Sequence, residues 1–138
     1  MSKRNVYEGP HSCYAVHEGF YVEDGGVNLK TAPKILMLML RDLKRGWTYD
    51  RSTCERIPFT EEHFRRRARY LIALFKKHAG RDSKALRALV DYVVEHKEPP
   101  SWAVEAMKAG EDLEEAYKRW LAKTEKKRKR ELVAVTTR

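Results

Sequence analysis

From Thr31 onward the chain repeats apolar residues at helical spacing, broken by short polar stretches that carry Gly, Pro or Ser. The clearest segment is "TEEHFRRRARYLIALFKKHAG". There Phe64, Ala68, Leu71, Phe75 and Ala79 follow at four, three, four and four residues and form one stripe. Thr60 is placed to cap this helix, Glu61 and Glu62 suit its positive dipole end, and Lys76, Lys77 and His78 suit the negative end before Gly80. The turn "AGRDS" leads into "KALRALVDYVVEHKE", whose Leu86, Leu89, Val90, Val93 and Val94 share a face. The two helices are therefore expected to form an antiparallel hairpin.

Pro99 and Pro100 stop the second helix, and Ser101 is placed to cap a short one through "WAVEAMKAG" that Gly110 ends. A last helix is predicted from about Asp112, with Leu113, Ala116, Tyr117, Trp120 and Leu121 as its core face. Between Ala122 and Leu132 no apolar residue occurs. A helix continued through "KTEKKRKRE" would project from the body with nothing packed beneath it.

Upstream, "TAPKILMLMLRDLKRG" has Thr31 as the expected N-cap, Pro33 in the first turn and Gly46 past the end. Its apolar run covers more than one face, which predicts the central buried helix. "WTYDRSTCERIPF" has no clean period and reads as an ordered loop pinned by Trp47, Tyr49 and Phe59. Nearer the N-terminus, "GFYVE", "DGG" and "VNLK" predict a β-hairpin with Gly25 and Gly26 at its turn, and "SCYAV" offers a third strand. The expected fold is mainly α (α+β): four to five helices with a short N-terminal β-hairpin. Residues 1–122 make one domain and 123–138 a basic C-terminal helical extension.

With 138 residues the chain can bury one core. Hydrophobic residues make up an ordinary 42%, but charged residues reach 36%, well above the usual quarter. The formal charge of +9 is unevenly spread. Through Tyr117 there are 20 basic and 18 acidic residues, whereas Lys118 to Arg138 hold nine basic and two acidic ones. Such an imbalance suits an electrostatic arm better than a uniformly basic fold.

The arm is "AKTEKKRKREL", where Lys123, Lys126, Lys127, Arg128, Lys129 and Arg130 would point around a helix axis. Glu125 to Lys129 is its one well-oriented opposite pair. Free, this arm is expected to fray, and phosphates that neutralise it would order it. The plain alternative is a solvated tail, or a nuclear-import signal in a eukaryote. A second basic patch comprises Arg65, Arg66, Arg67 and Arg69 with Lys76 and Lys77. Arginine forks bind phosphate bidentately, although Glu61 and Glu62 can neutralise part of this patch through Arg65 and Arg66.

Other chemistry has weaker support. The helix–turn–helix match is poor, because most cations precede the would-be recognition helix, which carries only Lys84 and Arg87. Of the 14 aromatics, Tyr21 and Tyr49 are the candidates for stacking on bases, while Trp102 and Trp120 read as core anchors. His11, Cys13, His17, Cys54 and His63 lack any standard metal-ligand spacing, so no metal or cofactor is expected. No phosphate loop, nucleophile elbow or zinc-protease motif occurs. Cys13 or Cys54 with His17 or His63, or carboxylates among Glu18, Glu23 and Asp24, could be drawn as catalytic groups, but nothing constrains them. No enzyme is expected.

Two cysteines without a pairing motif argue against a disulfide and for a reducing compartment. The N-terminal stretch lacks a signal-peptide apolar core, and "ILMLML" is far short of the roughly 20 residues of a membrane helix. A soluble, cytoplasmic protein is expected, with the nucleus open to it in a eukaryote. The leading expectation is a small non-enzymatic accessory protein, in the style of a phage or mobile element, that contacts DNA or RNA phosphates through its basic surfaces. The rival is a protein-interaction module or inhibitor that binds an acidic or nucleic-acid-facing surface of a larger machine.

Overall fold

The computed structural model describes residues 13–18, 27–50 and 52–136. It contains five helices of nine or more residues, a six-residue helix and one two-stranded sheet. In chain order these are α1 (Cys13–Glu18), α2 (Thr31–Arg45), β1 (Trp47–Tyr49), β2 (Arg56–Pro58), α3 (Glu61–Ala79), α4 (Lys84–His96), α5 (Ser101–Ala109) and α6 (Leu113–Thr136). The mainly helical class with a short antiparallel hairpin is as expected.

The hairpin is not where the sequence pattern put it. Residues 19–26 of the predicted hairpin lie outside the described residues, and the following Val27 to Lys30 form a bend and turn leading into α2. The strands come instead from the segment with no clean period. Trp47 pairs with Pro58, Thr48 with Ile57 and Tyr49 with Arg56. The turn is set by Asp50, whose carboxylate accepts from the backbone N–H of Ser52 and Thr53. "CYAV", offered as part of a third strand, is the start of α1.

α2 is the central helix. Ile35, Leu36, Met39 and Leu40 are buried, and the helix packs against α3, α4 and β1. Its N-terminus is capped by Asn28, whose side-chain oxygen accepts from the N–H groups of Lys30 and Thr31. Thr31, the expected cap, is the first helical residue. Its hydroxyl accepts from the Asn28 N–H at 2.9 Å, so the two residues cap reciprocally. Gly46 ends α2 in the left-handed conformation, φ 85°, and lets the chain turn straight into β1.

α3 and α4 form the expected antiparallel hairpin. Thr60 caps α3 through the His63 N–H, Ser83 caps α4 through the Leu86 N–H, and Lys97 after α4 reaches Glu61 at the start of α3 at 2.9 Å. Phe64, Ala68, Leu71 and Phe75 are buried as the stripe requires, but Ala79 is exposed, one residue before the chain leaves the helix. α5 starts without a side-chain cap, since Ser101 lies inside its first turn and Pro100 stands at the cap position. Asp112 caps α6 through the N–H groups of Glu114 and Glu115. Leu113 and Ala116 are buried and Tyr117 is partly buried, whereas Trp120 and Leu121, expected in the core, are each 39% exposed. α6 leaves the body one turn earlier than its apolar pattern suggests.

Two further departures concern polar groups. Cys13 and Cys54, expected to be unpaired, form a disulfide that ties α1 to the hairpin turn. A reducing compartment loses the support that unpaired cysteines gave it. Arg67, expected on the basic surface, is buried at 6% exposure. It sits three residues after Phe64 and four before Leu71, squarely on the core stripe. Its guanidinium donates to Thr48 Oγ1 at 2.9 Å and to the Tyr49 carbonyl at 3.0 Å, and lies over the Phe59 ring.

Arg66 and Arg67 thus differ only in the face they occupy. Replacing Arg67 with Ala should cost about 3 kcal/mol, from the missing charged hydrogen bonds and a cavity. Replacing exposed Arg66 with Ala should stay within about 0.5 kcal/mol of wild type. Urea denaturation of the two variants measures this contrast.

Candidate nucleic-acid interface

The distal part of α6 is the largest single basic feature. Every residue from Lys118 to Leu132 is exposed, and the helix runs unbroken to Thr136. At 1.5 Å per residue, 24 residues extend about 36 Å. Lys123, Lys126, Lys127, Arg128, Lys129 and Arg130 all lie on this projecting length. None of the six forms an ion pair with another described residue, and the expected Glu125 to Lys129 pair is not made. The boundary is sharp. Lys118 pairs with Glu115, and Arg119 pairs with Glu111, while the cations beyond them touch no carboxylate among the described residues.

On α3, Arg65, Arg66, Arg69, Lys76 and Lys77 are exposed on the face away from the core. Arg65 is partly neutralised by Glu61 at 3.1 Å, as its spacing predicts. The Glu62 to Arg66 pair is not made. Arg67 belongs to the core and leaves the patch.

Most of the remaining sequence candidates among the described residues are spent in structural contacts. On α4, Arg87 grips Asp82 at 2.7 Å and only Lys84 stays open, which leaves little for a recognition helix. Tyr49, a candidate for base stacking, is 4% exposed, with His17 stacked on its ring at 5.0 Å. Tyr21, His11, Glu23 and Asp24 lie outside the described residues. Cys13 and Cys54 are consumed by their disulfide, and His63 packs edge-on to Phe59. Among the described residues no group of three or more His, Cys, Asp or Glu side chains is placed to hold a metal ion, and no helix is long and apolar enough to cross a membrane.

A polar cluster that sequence reasoning missed joins α1, α2 and the hairpin. Asp42 has no exposed surface; its carboxylate accepts from Thr48 Oγ1 at 2.9 Å and pairs with Arg41 at 3.0 Å and Arg45 at 2.9 Å. In front of it, Glu18 accepts from Arg41, Arg45 and the Tyr49 hydroxyl. Arg45 also lies 3.4 Å from the centroid of Trp47, with Arg56 4.1 Å from the same ring. One signal was present in the sequence: Asp42 falls three residues after Met39 and seven after Ile35, so a carboxylate stands on the apolar stripe. Its neighbour Glu18 carried no such signal.

Partial burial opposes ionisation of Glu18, but hydrogen bonds from Arg41 and Arg45, the Arg41 charge and the Tyr49 hydroxyl outweigh it, so its pKa lies below the ordinary 4.5. Burial and the Glu18 carboxylate push the Tyr49 phenol up. Comparison of the chain with protein-family models, curated proteins and solved structures finds no match to any of them.

A carboxylate whose folded pKa is depressed stabilises the fold above its unfolded pKa, and loses that effect as pH falls through the folded value. Wild type should therefore melt above Glu18→Gln at neutral pH, and the difference should close as pH falls below the ordinary glutamate value. Thermal unfolding of both proteins from pH 7 to pH 3 checks the sign.

Proposed function

We propose that this protein binds nucleic acid without catalysing a reaction, as an accessory factor that neutralises backbone phosphates. The observation that carries this reading is the free length of α6. Six cations stand on the distal part of α6, where every residue from Lys118 to Leu132 is exposed and their mutual repulsion would be relieved by a polyanion. A helix with cations around its axis suits phosphate contact rather than base reading, since it presents no single edge to a groove floor. The exposed arginines of α3 supply a second surface of the same chemistry.

A protein partner is the second reading, favoured by one observation. Trp120 and Leu121 are exposed on α6 beside Tyr117, where two large apolar side chains border the basic length. Trp is among the residues that anchor protein interfaces. An acidic partner surface would meet both features at once.

Fluorescence anisotropy with labelled duplex and single-stranded DNA and RNA, across several salt concentrations, tests the leading reading. Affinity should fall steeply with salt, with a log–log slope of up to about −5 for six neutralised duplex phosphates. Ending the chain at Thr124 removes five of the six cations and should flatten that slope by about 0.9 for each phosphate no longer neutralised. Binding that ignores salt, or the absence of binding at low salt, would refute the mechanism. Under the second reading, Trp120→Ala would weaken the partner complex while leaving nucleic-acid affinity within about twofold of wild type.

A further inference from the structure

The groups around the Glu18 carboxylate make an anion site whose occupant is already in place. Arg41 Nη2 lies 2.9 Å from one carboxylate oxygen. Arg45 Nη1 lies 3.0 Å from the other, which also accepts from the Tyr49 hydroxyl at 3.1 Å. Two guanidiniums and a phenol converging on a pair of oxygens form a donor set that binds phosphate oxygens as well as a carboxylate.

The bed of this site is fixed without its occupant. Asp42 holds both arginines from behind, Arg45 lies over the Trp47 ring, and Tyr49 sits in the hairpin ladder. The occupant is carried on a short element. α1 has six residues, too few to be stable as an isolated helix. Among the described residues, besides Glu18, it is retained by His17, which contacts the Cys54 carbonyl and stacks on Tyr49, and by Cys13, which is buried and bonded to Cys54. Among the described residues, removing Glu18 leaves two guanidinium charges facing one carboxylate, that of Asp42. The Arg41 side chain, 43% exposed, gives solvent access to that excess charge.

We propose that Glu18 stands in for a phosphate group and that the Cys13–Cys54 disulfide latches it there, so that reduction frees Arg41, Arg45 and Tyr49 to bind phosphate. A dithiol supplies two electrons and two protons: the S–S bond breaks, Cys13 and Cys54 become thiols, and the reductant closes to its own disulfide. The site is separate from α6, and it stands whether or not that helix binds nucleic acid.

Equilibrium dialysis of the full chain against radiolabelled inorganic phosphate tests both parts, with circular dichroism following the helix content. Reduced wild type should bind at least about tenfold more tightly than oxidised wild type. Glu18→Ala with its disulfide intact should show the same gain, and Arg45→Gln in that background should abolish it. Competition by a short DNA oligonucleotide identifies the phosphate as one from a nucleic-acid backbone, and its absence identifies a small phosphorylated ligand; either supports the site. If oxidised Glu18→Ala binds phosphate no better than wild type, or if Arg45→Gln leaves the gain intact, there is no phosphate site. A chain that unfolds on reduction, or stays helical and binds no better, overturns the latch.

Discussion

A carboxylate with no exposed surface must be neutralised where it lies, because an unpaired buried charge is far more costly than any single contact is stabilising. Asp42 meets this requirement with Arg41 and Arg45 from its own helix and Thr48 from β1. Thr48 in turn accepts from Arg67 of α3, whose other nitrogen reaches the Tyr49 carbonyl. One buried group thereby fixes the angle at which the hairpin leaves α2 and the depth at which α3 lies against it. The hairpin is only three residues a side, too small to persist alone, and it depends on that anchorage.

The same requirement governs the charges on the body. Several acidic side chains there are matched to nearby cations: Glu61 to Arg65 and Lys97, Asp82 to Arg87, Glu114 to Arg81, Glu111 to Arg119. Most of these pairs are exposed and each contributes little to stability. With 20 basic and 18 acidic residues through Tyr117, the body is close to neutral overall, and the net charge sits on the distal length of α6. From Lys118 to Glu131 that length has backbone hydrogen bonds and fully exposed side chains, so it lies at the low-stability end of the described residues.

Much of this was legible in the residues. Most of the α3 stripe, the α4 stripe, the cap at Thr60, the start of the last helix near Asp112 and the stops at Gly46, Gly80 and Gly110 are local matters that stand where periodicity and cap chemistry put them, whereas the caps expected at Thr31 and Ser101 fall to Asn28 and Pro100. The exposed cations of the α6 arm were readable for a related reason, since a helix with no apolar residue for nine positions has nothing to pack. Arg67 and Asp42 were half legible, as charged residues standing on apolar stripes. The stripe alone cannot argue for their burial, because burying a charge makes sense only once its partner is known.

The five longer helices, their C-terminal stops and the segregation of charge toward the C-terminus follow from the residues alone, because these depend on neighbours within about a turn. Three things do not: which segment becomes the hairpin, that Cys13 meets Cys54 across 41 residues, and that Glu18 reaches Arg41 and Arg45. Those pairings join groups far apart in the chain, and no local pattern encodes which distant segment will fold over which. Only the packing of α1 and the hairpin against α2 brings them within bonding distance.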